Sequence, residues 1–130
     1  MSHKSIQVTV LAVSFFTAAG AHADPASIEQ LDSYRQQGIG QFDAERGRQL
    51  WYASVNERGC TNCHGEIPAN VGQHVKTGKP IEPMAPSVNP ARYQSAKKIE
   101  KWFLRNCKWT LGRECNLQEK ADILSWLASR

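Results

Sequence analysis

Cys60-Thr61-Asn62-Cys63-His64 constrains what this chain can fold around more than any other stretch. Two thiols three residues apart, followed at once by an imidazole, form the C-x-x-C-H pattern of covalent haem attachment. The spacing has a physical reason. The two sulfurs can reach two vinyl groups along one porphyrin edge, which brings the next side chain beneath the iron. Histidine suits that position because a neutral imidazole nitrogen binds iron, while a hydrogen bond to its other nitrogen can orient the ring. Three other uses of the motif fit less well. A zinc site wants a second ligand pair at short spacing, but Cys107 and Cys115 stand further apart and have no histidine beside them. A thioredoxin-like redox pair wants a βαβ setting, and none is visible. A plain disulfide leaves His64 unexplained. Cys60 and Cys63 are therefore read as covalent attachment points for one haem c, with His64 as an axial ligand of its iron.

The N-terminus reads as an export signal. Met1–Lys4 is positively charged, residues 6–19 form an apolar run, and Ala21-His22-Ala23 is a small-x-small cleavage site before Asp24. A membrane anchor is the other reading, but the run is shorter than the roughly 20 residues a spanning helix needs. The expected organisation is a cleaved signal peptide over residues 1–23 and a single domain over 24–130, delivered to the periplasm and not embedded in the membrane after cleavage. The formal charge of +4 includes one unit from Lys4, so cleavage leaves +3. That charge is spread along the chain rather than gathered into a nucleic-acid-binding run, so no nucleic-acid partner is expected. A domain this small has a limited core of its own, and a bound haem supplies apolar filling.

Four stretches carry helical signals. Asp24 and Pro25 open the first, with Ile28, Leu31 and Tyr34 at helical spacing. Asp43 caps the second, which places Gly47, Leu50, Trp51 and Val55 on one face. A mid-helix glycine is about 1 kcal/mol worse than alanine, so Gly47 suggests the close approach of another helix. The third runs on from Ser95, with Ile99, Trp102, Phe103 and Asn106 at i, i+3, i+4 and i+7. The fourth opens with an Asn116 cap and Glu119 three residues on, and it carries Ala121, Leu124 and Leu127 on one stripe with Trp126 beside it; it is expected to cross the Gly47 helix. Between them, residues 66–90 hold every proline but Pro25, together with Gly72 and Gly78, which excludes long helices and regular sheet. The chain reads as all-α with one long loop.

Cys107 and Cys115 remain after haem attachment. In an exported protein, two spare cysteines around a stretch containing Gly112 favour a disulfide worth roughly 2–3 kcal/mol, with two free buried thiols as the alternative. The ligand on the far side of the iron decides the function, since a strong ligand closes the iron for electron transfer and a weak one leaves it open to a gas. Met84, His74, Asn106 and the lysines are the candidates. Met84 lies in Pro83-Met84-Ala85-Pro86 and is favoured on generic grounds, although a methionine also fills gaps in a core. Asn106 continues the apolar face of its helix, where a buried amide needs a partner; a cap or a backbone hydrogen bond is the plainer account. Arg92, Tyr93 and Trp109 could serve as distal groups, with surface or packing roles as the plainer alternative.

Two resemblances bear on these choices. Class I cytochromes c pack a glycine of an N-terminal helix against an aromatic residue of a C-terminal helix, and Gly47 and Trp126 resemble that pair. The fold implied is a class I cytochrome c, four to five helices around one covalent haem with a long Pro/Gly-rich loop. More specifically, Ala44-Glu45-Arg46-Gly47-Arg48, Cys60-Thr61-Asn62-Cys63-His64-Gly65, Ala85-Pro86-Ser87, Glu100-Lys101-Trp102, Arg105-Asn106-Cys107, Gly112-Arg113 with Cys115, and Glu119-Lys120-Ala121-Asp122 resemble the sphaeroides haem protein family of oxygen-binding monohaem cytochromes. The resemblance implies that Asn106 is the sixth ligand of the oxidised haem and leaves on reduction, and that Cys107 and Cys115 are bridged. It also implies a reduced iron open to O2, NO or CO, and a dihaem cytochrome c and a membrane cytochrome b as electron donors. The expected role is a ligand-binding electron carrier rather than an enzyme. The alternatives are a His/Met-ligated carrier using Met84 and a reductase of O2, NO or hydroxylamine.

Overall fold

The computed structural model describes residues 25–130; the signal peptide expected over 1–23 and the Asp24 cap lie outside the described residues. In chain order the elements are α1 (Pro25–Gln36), α2 (Ala44–Tyr52), α3 (Thr61–His64), β1 (Gly72–Gln73), β2 (Pro80–Ile81), α4 (Ala96–Leu111) and α5 (Leu117–Ala128).

The centre of the fold is the crossing of α2 and α5. Asp43 caps α2 by accepting from the backbone N–H groups of Glu45 and Arg46. Asn116 and Glu119 form a reciprocal capping box at the start of α5. Gly47 permits the crossing: a Cβ built there would stand 2.1 Å from the Asp122 carbonyl oxygen and 3.0 Å from the Ile123 nitrogen. The glycine therefore meets the α5 backbone rather than Trp126. Trp126 packs a turn further on against Trp51, with ring centroids 5.4 Å apart. Trp51, Trp126, Leu124 and Leu127 are all buried, each contributing roughly 1.5–3 kcal/mol through the apolar surface it removes from water. Asp122 is also buried at this crossing. Its carboxylate accepts from the Asp43 backbone N–H at 2.7 Å, Arg46 Nε at 2.9 Å and Gln118 Nε2 at 2.8 Å, so the buried charge is fully partnered.

Three details of the expected helices differ. In α1, Ile28 is exposed, and the buried side carries Ser27, Gln30 and Tyr34. The reason is polar: Gln30 Nε2 and the Tyr34 hydroxyl both donate to Glu100 Oε1 on α4, while Lys120 Nζ of α5 pairs with Glu100 Oε2 at 2.7 Å. Burial and the adjacent Glu100 carboxylate hold the Tyr34 hydroxyl protonated. In the second stretch, the helix ends at Tyr52, and Val55 instead bridges Arg58 across a turn in which Asn56 and Glu57 have positive φ. In α4, capped by Ser95, the buried positions are Ile99, Cys107 and Thr110, with Phe103 half-buried; Trp102 and Asn106 are exposed. The apolar stripe lies slightly rotated from the expected one, so Asn106 stands at its border and is not a buried amide.

The proline-rich loop forms only the two-residue strands β1 and β2, paired antiparallel with Gly72 opposite Ile81. It is folded onto itself by Met84 and Ala85 N–H groups donating to the Pro68 carbonyl at 2.7 and 3.0 Å. Among the described residues, no helix is long and apolar enough to cross a membrane.

Candidate haem site

Cys60 N-caps the single turn of α3, and the His64 N–H donates back to the Cys60 carbonyl at 3.0 Å. Asn62 Oδ1 accepts from the Gly59 N–H at 2.6 Å, which shapes the entry to this turn. One helical turn separates Cys60 from Cys63, so both sulfurs come from the same side of it. Both are free thiols and half-buried. Gly72 lets the loop close on this segment, since a Cβ there would stand 2.2 Å from the Cys63 carbonyl oxygen and 2.8 Å from His64 Cα.

A cleft of about 90 Å3 opens above the turn. Cys60, Cys63 and His64 line it together with Met84 of the loop and Asn106 of α4. Its remaining walls are mainly apolar, from Trp51 of α2, Phe103 and Trp109 of α4 and Leu127 of α5. The structure thus brings together the attachment motif, Met84 and Asn106, which stand 20 and more positions apart in sequence. Of the other ligand candidates, His74 is not on the cleft; its Nδ1 accepts from the Lys76 and Thr77 N–H groups in the turn between β1 and β2. Among the described residues, no lysine lines the cleft.

His64 has the chemistry of a neutral metal ligand. Burial, with the nearby Arg92 charge as the smaller cause, pushes its imidazole down to about 4, so it is uncharged at neutral pH. Its Nδ1 is buried without a hydrogen-bond partner among the described residues. Trp51 lies against the ring, with centroids 5.5 Å apart. Burial pushes the Cys60 thiol up to about 11, which keeps the sulfur protonated. Two free thiols, a neutral imidazole and an apolar cleft fit a haem.

On the cleft wall, Cys107 and Cys115 are bridged, with S–S 2.04 Å and Cα–Cα 5.5 Å. The bridge fastens the end of α4 to the start of α5, where Arg113 also makes a paired contact with Glu119 at 2.7 and 2.8 Å. Asn106 precedes this bridge; its carbonyl accepts from Thr110 Oγ1 at 2.9 Å, while its carboxamide has no hydrogen-bond partner among the described residues. Met84 differs: Arg92 Nη2 lies 2.6 Å from its sulfur. Of the other proposed distal groups, Tyr93 is buried and donates to the Met84 carbonyl at 2.8 Å, and Trp109 lines the cleft with Arg58 over its ring. The Arg92 contact and the fit of Gly72 against the motif had no visible sign in the sequence, because loop contacts have no period.

A helical fold that crosses its first capped helix with its last, beside free Cys60, Cys63 and His64, defines a c-type cytochrome, and with it a c-type haem and its iron. Comparison with known proteins narrows the class. A family described as a domain of unknown function, DUF1924, matches residues 37–127. The cytochrome c-type protein SHP of Cereibacter sphaeroides is 40% identical over 112 residues, covering 82% of this chain and 86% of that protein. Cytochrome c'' of Methylophilus methylotrophus is 42% identical over 74 residues, 57% of this chain and 51% of that one. The solved structure of oxidised SHP, described as an oxygen-binding cytochrome c, superposes with a TM-score of 0.75 at 38% identity, over 82% of this chain and 99% of that one. Oxidised cytochrome c'' superposes with a TM-score of 0.68 at 28% identity, over 78% and 92%. The chain belongs to the SHP family of c-type cytochromes.

Proposed function

We propose that this protein is an exported monohaem cytochrome in which Cys60 and Cys63 would attach the haem and His64 would ligate its iron, with Asn106 as the second protein ligand in the oxidised state. The observation that carries the reading is the state of the two side chains competing for that second position. Asn106 lines the cleft with a carboxamide that has no hydrogen-bond partner among the described residues, whereas the Met84 sulfur is crowded by Arg92 Nη2. A neutral carboxamide oxygen is a hard ligand better matched to Fe(III) than to Fe(II). Bound in this site, a haem would supply a one-electron redox centre and, with Asn106 as a displaceable ligand, a position for a diatomic such as O2, NO or CO.

The chain's own residues set the terms of that exchange. The α3 turn and the Gly72 contact orient the Cys60, Cys63 and His64 group. Trp51, Phe103 and Leu127 exclude water from the cleft. Asn106 acts as the displaceable ligand on α4. One haem is expected because Cys107 and Cys115 are bridged and belong to no second motif. Oxygen binding by SHP itself supports the gas-binding reading. The N-terminal motif supports export to the periplasm, and the resemblance described above supports a dihaem cytochrome c and a membrane cytochrome b as electron donors.

A second reading, a plain carrier ligated by His64 and Met84, is favoured by the position of Met84 on the cleft. Absorption spectra of the ferric and ferrous holoprotein, with and without CO, separate the two. Asn106→Ala is expected to retain the haem but turn the ferric iron high-spin or water-ligated. An unchanged ferric spectrum rules Asn106 out. A long-wavelength sulfur-to-iron band in the unaltered protein that vanishes in Met84→Leu selects the second reading.

A further inference from the structure

The sequence shows no long run of charge, but the helical period of α4 gathers one. This helix holds Lys97, Lys98, Lys101, Arg105 and Lys108 against the single acid Glu100, so it alone carries a formal +4, as much as the whole chain. All five cations are exposed. Spaced three and four residues apart, they form a row along the face of α4 turned away from the buried Ile99 and Cys107. Little of this charge is answered within the fold. Lys108 pairs with Glu114 at 3.1 Å, and Glu100 is taken up by Lys120, Gln30 and Tyr34. The other four cations make no ion pair among the described residues.

The row works against the helix that bears it. Lys97 and Lys98 lie in a first turn that holds no acid, where the helix dipole disfavours cations. Lys97 with Lys101, and Lys101 with Arg105, are like-charge pairs at i, i+4, which destabilise a helix. Carboxylates brought by a partner relieve both. The same surface offers apolar anchors: Trp102 is 52% exposed with the Arg105 guanidinium carbon 5.1 Å from its ring centroid, and Leu104 is 41% exposed. Tryptophan and arginine are the residue types that carry binding energy at protein interfaces. A lipid surface wants a broad apolar helix face, and that of α4 is turned into the fold with Ile99 and Cys107. Another side of α4 lines the cleft through Phe103, Asn106 and Trp109. An α-helix is about 10 Å across, so a protein seated on the basic row stands one helix thickness from the haem site.

We infer that the basic row of α4 is the docking face for a redox protein with an acidic surface, placed so that electrons cross this one helix to reach the haem. The inference rests on the redox reading of the site. Its test takes the ferric holoprotein with reduced plant-type ferredoxin, an acidic iron–sulfur protein, as donor; the cluster loses one electron and the haem iron gains it. Lys97→Glu/Lys101→Glu is compared with Lys76→Glu/Lys79→Glu, an exposed pair between β1 and β2 that changes the net charge equally. At about 0.01 M salt the α4 pair is expected to slow reduction about tenfold and the loop pair by less than about threefold, with the difference lost at about 1 M. Equal slowing by both pairs overturns the inference, since net charge alone then acts. Carbodiimide coupling, which joins a lysine amine to a carboxylate it touches, reads the unaltered complex without substitution. Ferredoxin is expected on Lys97, Lys98 or Lys101, and coupling confined to Lys76 and Lys79 overturns the docking face. Phosphatidylglycerol vesicles that bind the unaltered protein but not the α4 pair, with ferredoxin reduction the same in both, overturn it in favour of a lipid surface. An iron that dithionite does not reduce refutes the redox reading and the inference with it, whereas a reducible iron whose reduction by ferredoxin ignores α4 refutes the inference alone.

Discussion

Replacing Gly47 by alanine puts a methyl carbon 2.1 Å from the Asp122 carbonyl oxygen and 2.5 Å from its carbon. A carbon–oxygen contact relaxes at about 3.3 Å, so α2 and α5 must separate by roughly 1 Å at their crossing. The atoms met are backbone, and no rotamer change can relieve the contact. A gap of that size forfeits roughly a quarter to a half of the dispersion between the facing groups, among them Trp51, Leu124 and Trp126. Overpacking of this kind costs about 1–3 kcal/mol, and the rigid partner puts Gly47 at the upper end. Against it, alanine improves helix propensity by about 0.8–1 kcal/mol. The net expectation is a loss of about 2 kcal/mol, or about 10 °C in Tm for a domain of this size. Urea unfolding of the holoprotein, followed by far-UV circular dichroism, measures it; the slope should be unchanged and the midpoint lowered. Gly40→Ala is the control, because a Cβ there meets nothing within 4 Å. A Gly47→Ala protein within about 0.5 kcal/mol of the unaltered one refutes the reasoning.

Three other outcomes follow from single contacts. Gly72→Ala drives a methyl into the Cys63 carbonyl and His64 Cα, so it is expected to alter the haem absorption spectrum as well as cost about 1–3 kcal/mol; a loss of stability with an unchanged spectrum contradicts the position assigned to this loop. Opening the Cys107–Cys115 bridge, whose ends are 8 positions apart, is expected to cost about 2.5 kcal/mol by the chain-entropy relation, measured as the difference in unfolding free energy between unaltered and Cys107→Ser/Cys115→Ser holoproteins. The Glu119 carboxyl is held below its ordinary value of 4.5 by the Arg113 hydrogen bonds. The unfolded chain therefore binds the proton first as pH falls, and the contribution of Glu119 is complete above about 4.5 and lost through its lower folded value. The stability gap between the unaltered protein and Glu119→Gln should narrow on acidification across that window; a gap that widens contradicts the assignment.

What could be read from the sequence divides along physical lines. The crossing of α2 and α5 was legible because a glycine inside a capped, apolar-periodic helix has few explanations other than a close neighbour. The Asn116 and Glu119 box was legible because it is a local pattern. The haem site was half legible: Cys60, Cys63 and His64 form a contiguous motif, whereas the wall that faces them is assembled from α2, α4, α5 and the loop. Ile28 and Trp102 fall on apolar faces by spacing, but burial in α1 and α4 is set partly by polar contacts, and Val55 lies past the end of α2 in a turn. Gln30 and Tyr34 turn inward to reach Glu100, and Lys120 completes that cluster. Hydrophobic periodicity carries no record of such an arrangement.

The placement of Asn106 bears on how a ligand could leave without disturbing the fold. Its backbone is constrained on several sides. It lies within α4, its carbonyl takes a second hydrogen bond from Thr110 Oγ1, and the next residue is fastened to α5 through the bridge. The start of α5 is in turn fixed by its capping box and by Arg113 paired with Glu119. A displacement of the helix would have to break these restraints together, at a cost far above the difference between two weak axial ligands. The carboxamide, by contrast, is exposed to the cleft and bonded to nothing else among the described residues. On the proposed reading, departure of Asn106 on reduction would be a side-chain rotation on a fixed helix, of the kind that exposed side chains complete in picoseconds to nanoseconds. On that reading the same rigidity would keep the carboxamide within reach of a bound iron for its return on oxidation, and the disulfide would serve ligand exchange as well as stability.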